Sequence, residues 1–393
     1  MLSWLAPIIV FGLVVFVHEL GHFIAAKLTG VYAPRFSIGF GPSLLKKRFG
    51  ETEYVLAALP LGGYVRMASR EDEATAFLEG GSENSAVTPG SAKDGFDPDA
   101  MIPFGPKPIP ESRWFESKSL ASRLFIMLAG VTMNALLAYV IYLGLLLHSG
   151  IPTPVTVAAV VNPGKPAALA GIQVGDSIAS LNGRPLESWQ TLLDSIGASA
   201  GKPLSLGIVR HGQPVTVTVT PASEVVVDPE TGVKRPRGRI GMVAGQVFTP
   251  ISLPRAFSEA WGITIDNGGR IFTALGSLFR GVGLSDLGGP IAIAQVSVQA
   301  AQGGIESLLL LIALISINVA VFNLLPIPIL DGGQIVLNVA ETIKGSAFST
   351  RTRERILKGG LLLIGLLFVT VMFNDISRNM QNIVKLVGRI FGG

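Results

Sequence analysis

Long apolar runs alternate along the chain with stretches of quite different texture. Four runs read as membrane helices: about Leu5 to Leu28, Leu124 to Leu147, Leu308 to Leu325, and Leu361 to Phe373. A span needs roughly 20 apolar residues, so the fourth is short and must extend at its N-terminal end. No Lys or Arg precedes Lys27 and no small-residue cleavage site follows the first run, which argues against a signal peptide. Between the first two runs, Glu53 to Met67 alternates and carries a Leu-Gly-Gly turn, so a β-hairpin is expected. Residues 74–112, rich in Gly, Ser, Pro, Asp and Glu, read as a flexible cytoplasmic insertion. Residues 151–221 hold short β-branched runs between Gly and Pro turns, with one helical stretch near Trp189–Ile196. That is the texture of a small soluble α/β domain. Residues 222–240 read as a polar, basic linker, and 251–285 as an amphipathic helix.

The expected architecture is a polytopic α-helical membrane protein of about four transmembrane helices, with an inserted α/β domain and a membrane-associated β-hairpin. Its segments would be a first span over 1–29, the hairpin region and insertion over 30–119, and a second span over 120–148. The inserted domain (151–221), the linker with the amphipathic segment (222–305) and the third span (306–335) follow. A loop (336–356) then leads to the fourth span and an amphipathic tail (357–393). Lys27, Lys46, Lys47, Arg48, Arg113, Lys118 and Arg123 flank the first two spans, and Lys344, Arg351, Arg353, Arg355 and Lys358 lie between the last two. The positive-inside rule puts these loops in the cytoplasm, with both termini and the inserted domain outside. Arg378, Lys385 and Arg389 oppose that mildly, unless they lie on an interfacial helix.

Composition supports the bilayer. The 393 residues are 49% hydrophobic and 15% charged, with a mean hydropathy of +0.52; a soluble domain carries roughly 25% charge. A scattered net charge of +4 gives no nucleic-acid footprint. There is no cysteine, so disulfides, thiolate metal sites and cysteine nucleophiles are excluded.

The chemistry lies inside the first span. His18-Glu19-Leu20-Gly21-His22 is an HExxH sequence. Residues four apart share a helix face, so both imidazoles can bind one Zn²⁺ while Glu19 stands beside it as a base. Ionisable groups within an apolar span are costly and functional by default, and His and Glu are too short to snorkel to the interface. A catalytic zinc usually takes a third protein ligand. His148 and His211 are poorly placed for that role, which leaves a carboxylate, best Asp331 in Asn323-Leu-Leu-Pro-Ile-Pro-Ile-Leu-Asp331-Gly-Gly. Taken alone, those prolines would simply end a helix and Asp331 would cap the next one. A zinc site short of one ligand changes that balance.

With these residues in view, the sequence resembles the site-2 protease family of intramembrane zinc metalloproteases, and most closely its bacterial RseP-type members. The likeness runs through HELGH, LPLGGYVRM, FESKSLASRLFIMLAGVTMN, LGGPIAIAQ, NLLPIPILDGGQ and FNDISR in order. It implies that His18, His22 and Asp331 bind zinc and that Glu19 is the general base. Asn323 would hold or polarise the substrate backbone, with Asn134 a weaker polar contributor. Gly62, Gly63, Tyr64 and Val65 would pair with an extended substrate strand. The inserted domain would be PDZ-like, with Gly171 to Gly175 and Leu181-Asn182-Gly183 as its turns, and would bind a C-terminal peptide or exclude bulky substrates. Val131 stands where the family often has proline. The implied activity is cleavage of single-pass membrane proteins, such as anti-sigma factors or signal-peptide remnants, in a bacterial inner membrane. Two other readings use the same residues: a non-proteolytic membrane metal-binding or transport protein, in which Glu19 is dispensable, and a PDZ-based membrane scaffold with a degenerate site. The intact HExxH and Asp331 speak against the scaffold.

Overall fold

Pro7 in the first turn opens helix α1, Ala6–Leu28, where a missing N–H costs nothing. Thr29 closes it by turning its hydroxyl back on the Ala25 carbonyl at 2.9 Å. This first helix carries both histidines of the HExxH sequence. The computed structural model describes residues 3–69, 109–227, 234–279 and 288–391, so the expected insertion at 74–112 lies almost wholly outside the described residues. The chain divides into two compact units. One gathers Met1–Tyr142, Trp261–Phe272 and Leu284–Gly393; the other gathers Leu143–Ala260 and Thr273–Gly283.

In the first unit, strands β1 (Arg35–Phe49) and β2 (Thr52–Arg66) follow α1 and turn at Gly50, whose φ of 60° suits glycine. This corrects the expected hairpin within Glu53–Met67. Its two halves do not pair with each other: Arg35–Ile38 has Glu53–Leu56 as partners on one side and Gly63–Arg66 on the other. Gly62 and Gly63 therefore sit within a strand. They serve close approach instead, since a Cβ on Gly62 would lie 2.1 Å from the Phe40 ring and one on Gly63 would lie 2.8 Å from the Ser37 carbonyl oxygen.

Helix α2 (Leu120–Ser149) packs its Ile126 against Ala25 and Ala26 of α1. The approach is close, for a Cβ on Gly21 would lie 2.4 Å from the Ala129 carbonyl oxygen. Further helices are α5 (Leu253–Phe279), of which Trp261–Phe272 belongs to this unit, α6 (Pro290–Gln302), α7 (Ile305–Asn323) and α8 (Asp331–Lys344). Val10 and Val14 of α1 bury against Ile312 and Ile315 of α7. Helix α8 is tied at its middle and in its last turn: Arg123 donates to Asn338 at 2.7 Å, and Arg353 donates from Nε to buried Glu341 at 2.9 Å. The last helix, α9 (Thr350–Phe391), runs well beyond the short apolar run at 361–373. Buried Asp375 fastens it by accepting the Ile291 and Ala292 N–H groups, the uncapped first turn of α6, at 2.8 and 3.1 Å. Among the described residues four helical stretches are long and apolar enough to cross a membrane: Ser3–Leu28, Leu120–Ser149, Ile305–Asn323 and Arg351–Ser377.

The second unit is built on a sheet in the order β10-β3-β4-β6-β7 with β5 on the edge of β4. Its strands are β3 (Ile151–Val161), β4 (Ser177–Leu181), β5 (Arg184–Pro185), β6 (Leu204–Arg210), β7 (Gln213–Val219) and β10 (Met242–Thr249). Helices α3 (Pro166–Leu169) and α4 (Trp189–Ala198) accompany them. Asn182-Gly183 and His211-Gly212, all at positive φ, make the turns after β4 and β6. Leu204, Leu206 and Ile208 alternate inward from β6 onto Leu192 and Ile196 of α4. The domain therefore reaches past 221, because β10 pairs with β3 from Thr249↔Ile151 to Met242↔Val161. The segment expected as linker forms an antiparallel pair, β8 (Ala222–Val227) with β9 (Lys234–Arg239). Its charged residues hide it from hydropathy, yet Arg239 bonds Glu224 at 3.1 Å across the pair.

Candidate active site

The site grows from one face of α1. His18 and His22, one helical turn apart, are both buried and bring their Nε2 atoms to 3.1 Å. The Nδ1 of His22 lies 2.8 Å from the Ile126 carbonyl oxygen of α2. A carbonyl only accepts, so Nδ1 carries the proton and Nε2 turns a lone pair into the site. Asp331 arrives from the other direction. Helix α7 ends at Asn323, and the segment containing Pro326 and Pro328 folds back in a tight turn before Asp331 opens α8. Glycine is required next to it: a Cβ on Gly332 would lie 2.2 Å from the Leu324 carbonyl oxygen, and one on Gly333 2.0 Å from that of Ile327.

The Asp331 Oδ2 atom comes to 3.2 Å from His18 Nε2 and 3.4 Å from His22 Nε2. It is buried, and neither imidazole gives it a hydrogen bond of good geometry. Ligand atoms from His18, His22 and Asp331 all lie within 4.8 Å of one another. Two ring nitrogens and a carboxylate oxygen converge here, and leaving the buried Oδ2 without a hydrogen bond is costly. A cation removes that cost, and two imidazoles with one carboxylate and an open position are a donor set that zinc takes in hydrolases. The three residues fit a zinc ion.

Helix α2 forms the floor. A Cβ on Gly130 would lie 2.4 Å from His22 Nε2 and 2.8 Å from His18 Cε1, so only glycine lets α2 pass beneath the rings. Sequence reasoning missed Gly130 and the Ile126 carbonyl. Gly130 stands four residues before Asn134, one turn away on the same helix face, and that spacing was the available signal.

The chain belongs to peptidase family M50. Its family model matches residues 6–367, and this M50 peptidase has curated relatives of nearly its own length. It is 30% identical to the probable protease eep of Enterococcus faecalis, over 94% of this chain and 98% of the relative. With the regulator of sigma-W protease RasP of Bacillus subtilis it shares 31% identity over 95% of this chain and 98% of that one. With a putative zinc metalloprotease of Clostridium perfringens the figures are 32%, 94% and 97%. Among solved structures, the PDZ domain of an SdrC-like protein from Listeria innocua aligns with 23% of this chain and 92% of its own. The identity there is 20% and the TM-score 0.19. The M50 peptidase is a zinc-dependent metalloendopeptidase of the site-2 protease type.

The remaining candidate residues are disposed unevenly. Glu19 is partly exposed and accepts a hydrogen bond from the Val65 backbone of β2, and a Cβ on Gly63 would lie 3.3 Å from its Cγ. The Gly62–Val65 stretch thus runs beside the HExxH helix, and among the described residues its outer edge pairs with no other strand. Tyr64 stacks on Phe40, with 6.2 Å between ring centroids. Asn323, partly exposed, brings Nδ2 to 3.4 Å from His18 Nε2. Asn134 is 0% exposed. The substrate contact expected of it has no accessible atom to act through.

Proposed function

We propose that this M50 peptidase lies in a bacterial cytoplasmic membrane and hydrolyses peptide bonds in or beside the transmembrane segments of single-pass proteins. The observation that carries this reading is the convergence of His18, His22 and Asp331 on and between helices apolar enough to span a bilayer. These three side chains hold the zinc. Bound there, the ion supplies a Lewis acid that polarises a carbonyl and acidifies a water. Glu19 takes the water's proton on a carboxylate oxygen and delivers it to the nitrogen of the departing amine. Asn323 donates from Nδ2 to the substrate backbone. The open edge at Gly62–Val65 receives the substrate as an added strand, which needs an extended chain because a helix hides its carbonyls.

The basic residues between α1 and α2 and between α8 and α9 support a cytoplasmic side for those loops. Both termini and the PDZ-like unit then lie outside. A groove of 370 Å³ between Trp189 and Leu193 of α4 and the Ile240–Met242 segment takes a C-terminal peptide or screens bulky substrates. The name of the Bacillus subtilis relative, a regulator of sigma-W protease, supports anti-sigma factors as a substrate class.

The test is co-expression with a single-pass reporter. Glu19→Gln should keep zinc and leave the reporter whole, whereas normal cleavage by that variant would overturn the mechanism.

A further inference from the structure

The two histidines of the site are supported unequally. His22 has its Nδ1 proton placed on the Ile126 carbonyl at 2.8 Å. Among the described residues no carbonyl serves His18 in that role. Its Nδ1 faces the side-chain amide of Asn134, with Nδ2 at 3.4 Å. Asn134 is wholly buried, and among the described residues its Oδ1 has no hydrogen-bond partner. The residue is nevertheless firmly held, because its own backbone carbonyl accepts the hydroxyl of buried Ser316 of α7 at 2.8 Å.

The orientation of that amide decides where the His18 proton sits. With Nδ2 facing the ring, Nδ1 must be bare and the proton must sit on Nε2. That proton would point at Asp331 and His22, where a metal's ligand lone pair is needed. With the proton on Nδ1 instead, two donors would face each other at 3.4 Å. Turning the amide by 180° keeps its outline and puts Oδ1 opposite Nδ1. The orphaned oxygen then gains a donor, and Nε2 is freed as a lone pair.

We propose that Asn134 is a positioning residue for the zinc site: its side-chain oxygen accepts the Nδ1 proton of His18 and so fixes the tautomer and the tilt with which Nε2 meets the metal. The pairing mirrors that of His22 with Ile126, so helix α2 orients both imidazoles. It differs from a substrate-binding role, for which the enclosed side chain has no open face. The inference rests on His18 being a zinc ligand.

The test measures zinc affinity of the full-length detergent-purified protein by competition with a chromophoric chelator, together with the visible spectrum of the Co²⁺-substituted form. Wild type holding no zinc would refute the ligand assignment itself, and with it this proposal. Asn134→Leu keeps the shape without an acceptor and should lower zinc affinity about 10- to 100-fold and change the Co²⁺ spectrum. Asn134→Asp keeps an oxygen toward His18 and should stay within about threefold of wild type with the wild-type spectrum, since a carboxylate serves a metal-bound histidine equally well. Wild-type affinity in Asn134→Leu would overturn the proposal. If Asn134→Leu does not fold, Asn134→Asp decides alone: near-wild-type affinity supports the proposal, and a tenfold or greater loss, by misfolding or otherwise, overturns it.

Discussion

Replacing Gly130 by alanine inserts one methyl group into the floor of the site. That Cβ would lie 2.4 Å from His22 Nε2, 2.7 Å from its Cε1 and 2.8 Å from His18 Cε1. Ordinary contact between such atoms is about 3.5 Å, so the rings or the helix must retreat by about 1 Å. The His22 ring is poorly able to yield, being tied through Nδ1 to Ile126 at 2.8 Å. The helices cannot adjust freely either, because Gly21 already presses on the Ala129 carbonyl. Overpacking of this kind costs about 1–3 kcal/mol, against a gain of about 0.5–1 kcal/mol from replacing a helical glycine. The larger effect falls on chemistry, where a 1 Å misplacement costs about 100-fold. Gly144→Ala on the same helix is the control, since among the described residues nothing outside its own helical turn lies within 4 Å of its Cβ position. The assay is zinc per chain and reporter cleavage in detergent, beside a thermal melt. Gly130→Ala should lose zinc and cut about 100-fold more slowly, while Gly144→Ala matches wild type. Unchanged zinc content and cleavage in Gly130→Ala would refute the close packing of α2 beneath the ligands.

Two structural anchors and one acid response are also open to measurement. Asp176, 1% exposed, accepts Arg210 through both oxygens at 2.8 and 2.7 Å. Arg210→Met should therefore destabilise the second unit, read as faster hydrogen exchange in β4 and β6. The Arg210 hydrogen bonds hold the Asp176 carboxyl below its ordinary value. That stabilisation is complete above about pH 3.9, the unfolded value, and is lost as pH falls through the lower folded one. Hydrogen exchange in β4 and β6 should rise over that acid range in wild type and lose this component in Arg210→Met. Glu51 behaves alike in the first unit: Arg113, then Lys27, bring it from 4.5 to about 2, so its contribution fades as pH drops between those values. Asp375→Ala should leave the Ile291 and Ala292 N–H groups unpaired at a cost of about 1–3 kcal/mol, seen as a lower melting temperature that Asp375→Asn partly restores.

Much of the site could be read from spacing alone, because helical periodicity puts His18 and His22 on one face and an apolar span makes them conspicuous. Asp331 was reached through chemistry: a zinc needing a third ligand and a Pro- and Gly-broken segment able to deliver one. The structure brings these three together. What spacing could not show was the contribution of groups without a chemical signature. The Ile126 carbonyl belongs to every residue type, and Gly130 matters only once the distance between α1 and α2 is known. The β-sheet beside Glu19 misled for a related reason. Gly62-Gly63 looks like a turn, but its glycines make room for Phe40 and Ser37 inside a strand. In the second unit, β8 and β9 are charged enough to resemble linker, and β10 finds its partner β3 some ninety residues away, a pairing that local pattern does not encode.

The central claim is that two imidazoles from one helix and a carboxylate from a broken one hold a single zinc. X-ray absorption at the zinc edge of the purified full-length protein tests it most directly. The spectrum should show two imidazole nitrogens at about 2.0–2.1 Å with oxygen neighbours at about 2.0–2.2 Å, one imidazole fewer in His22→Ala, and no change in Glu19→Gln. An identical spectrum in wild type and His22→Ala, or a wild-type spectrum without two imidazoles, would contradict the account.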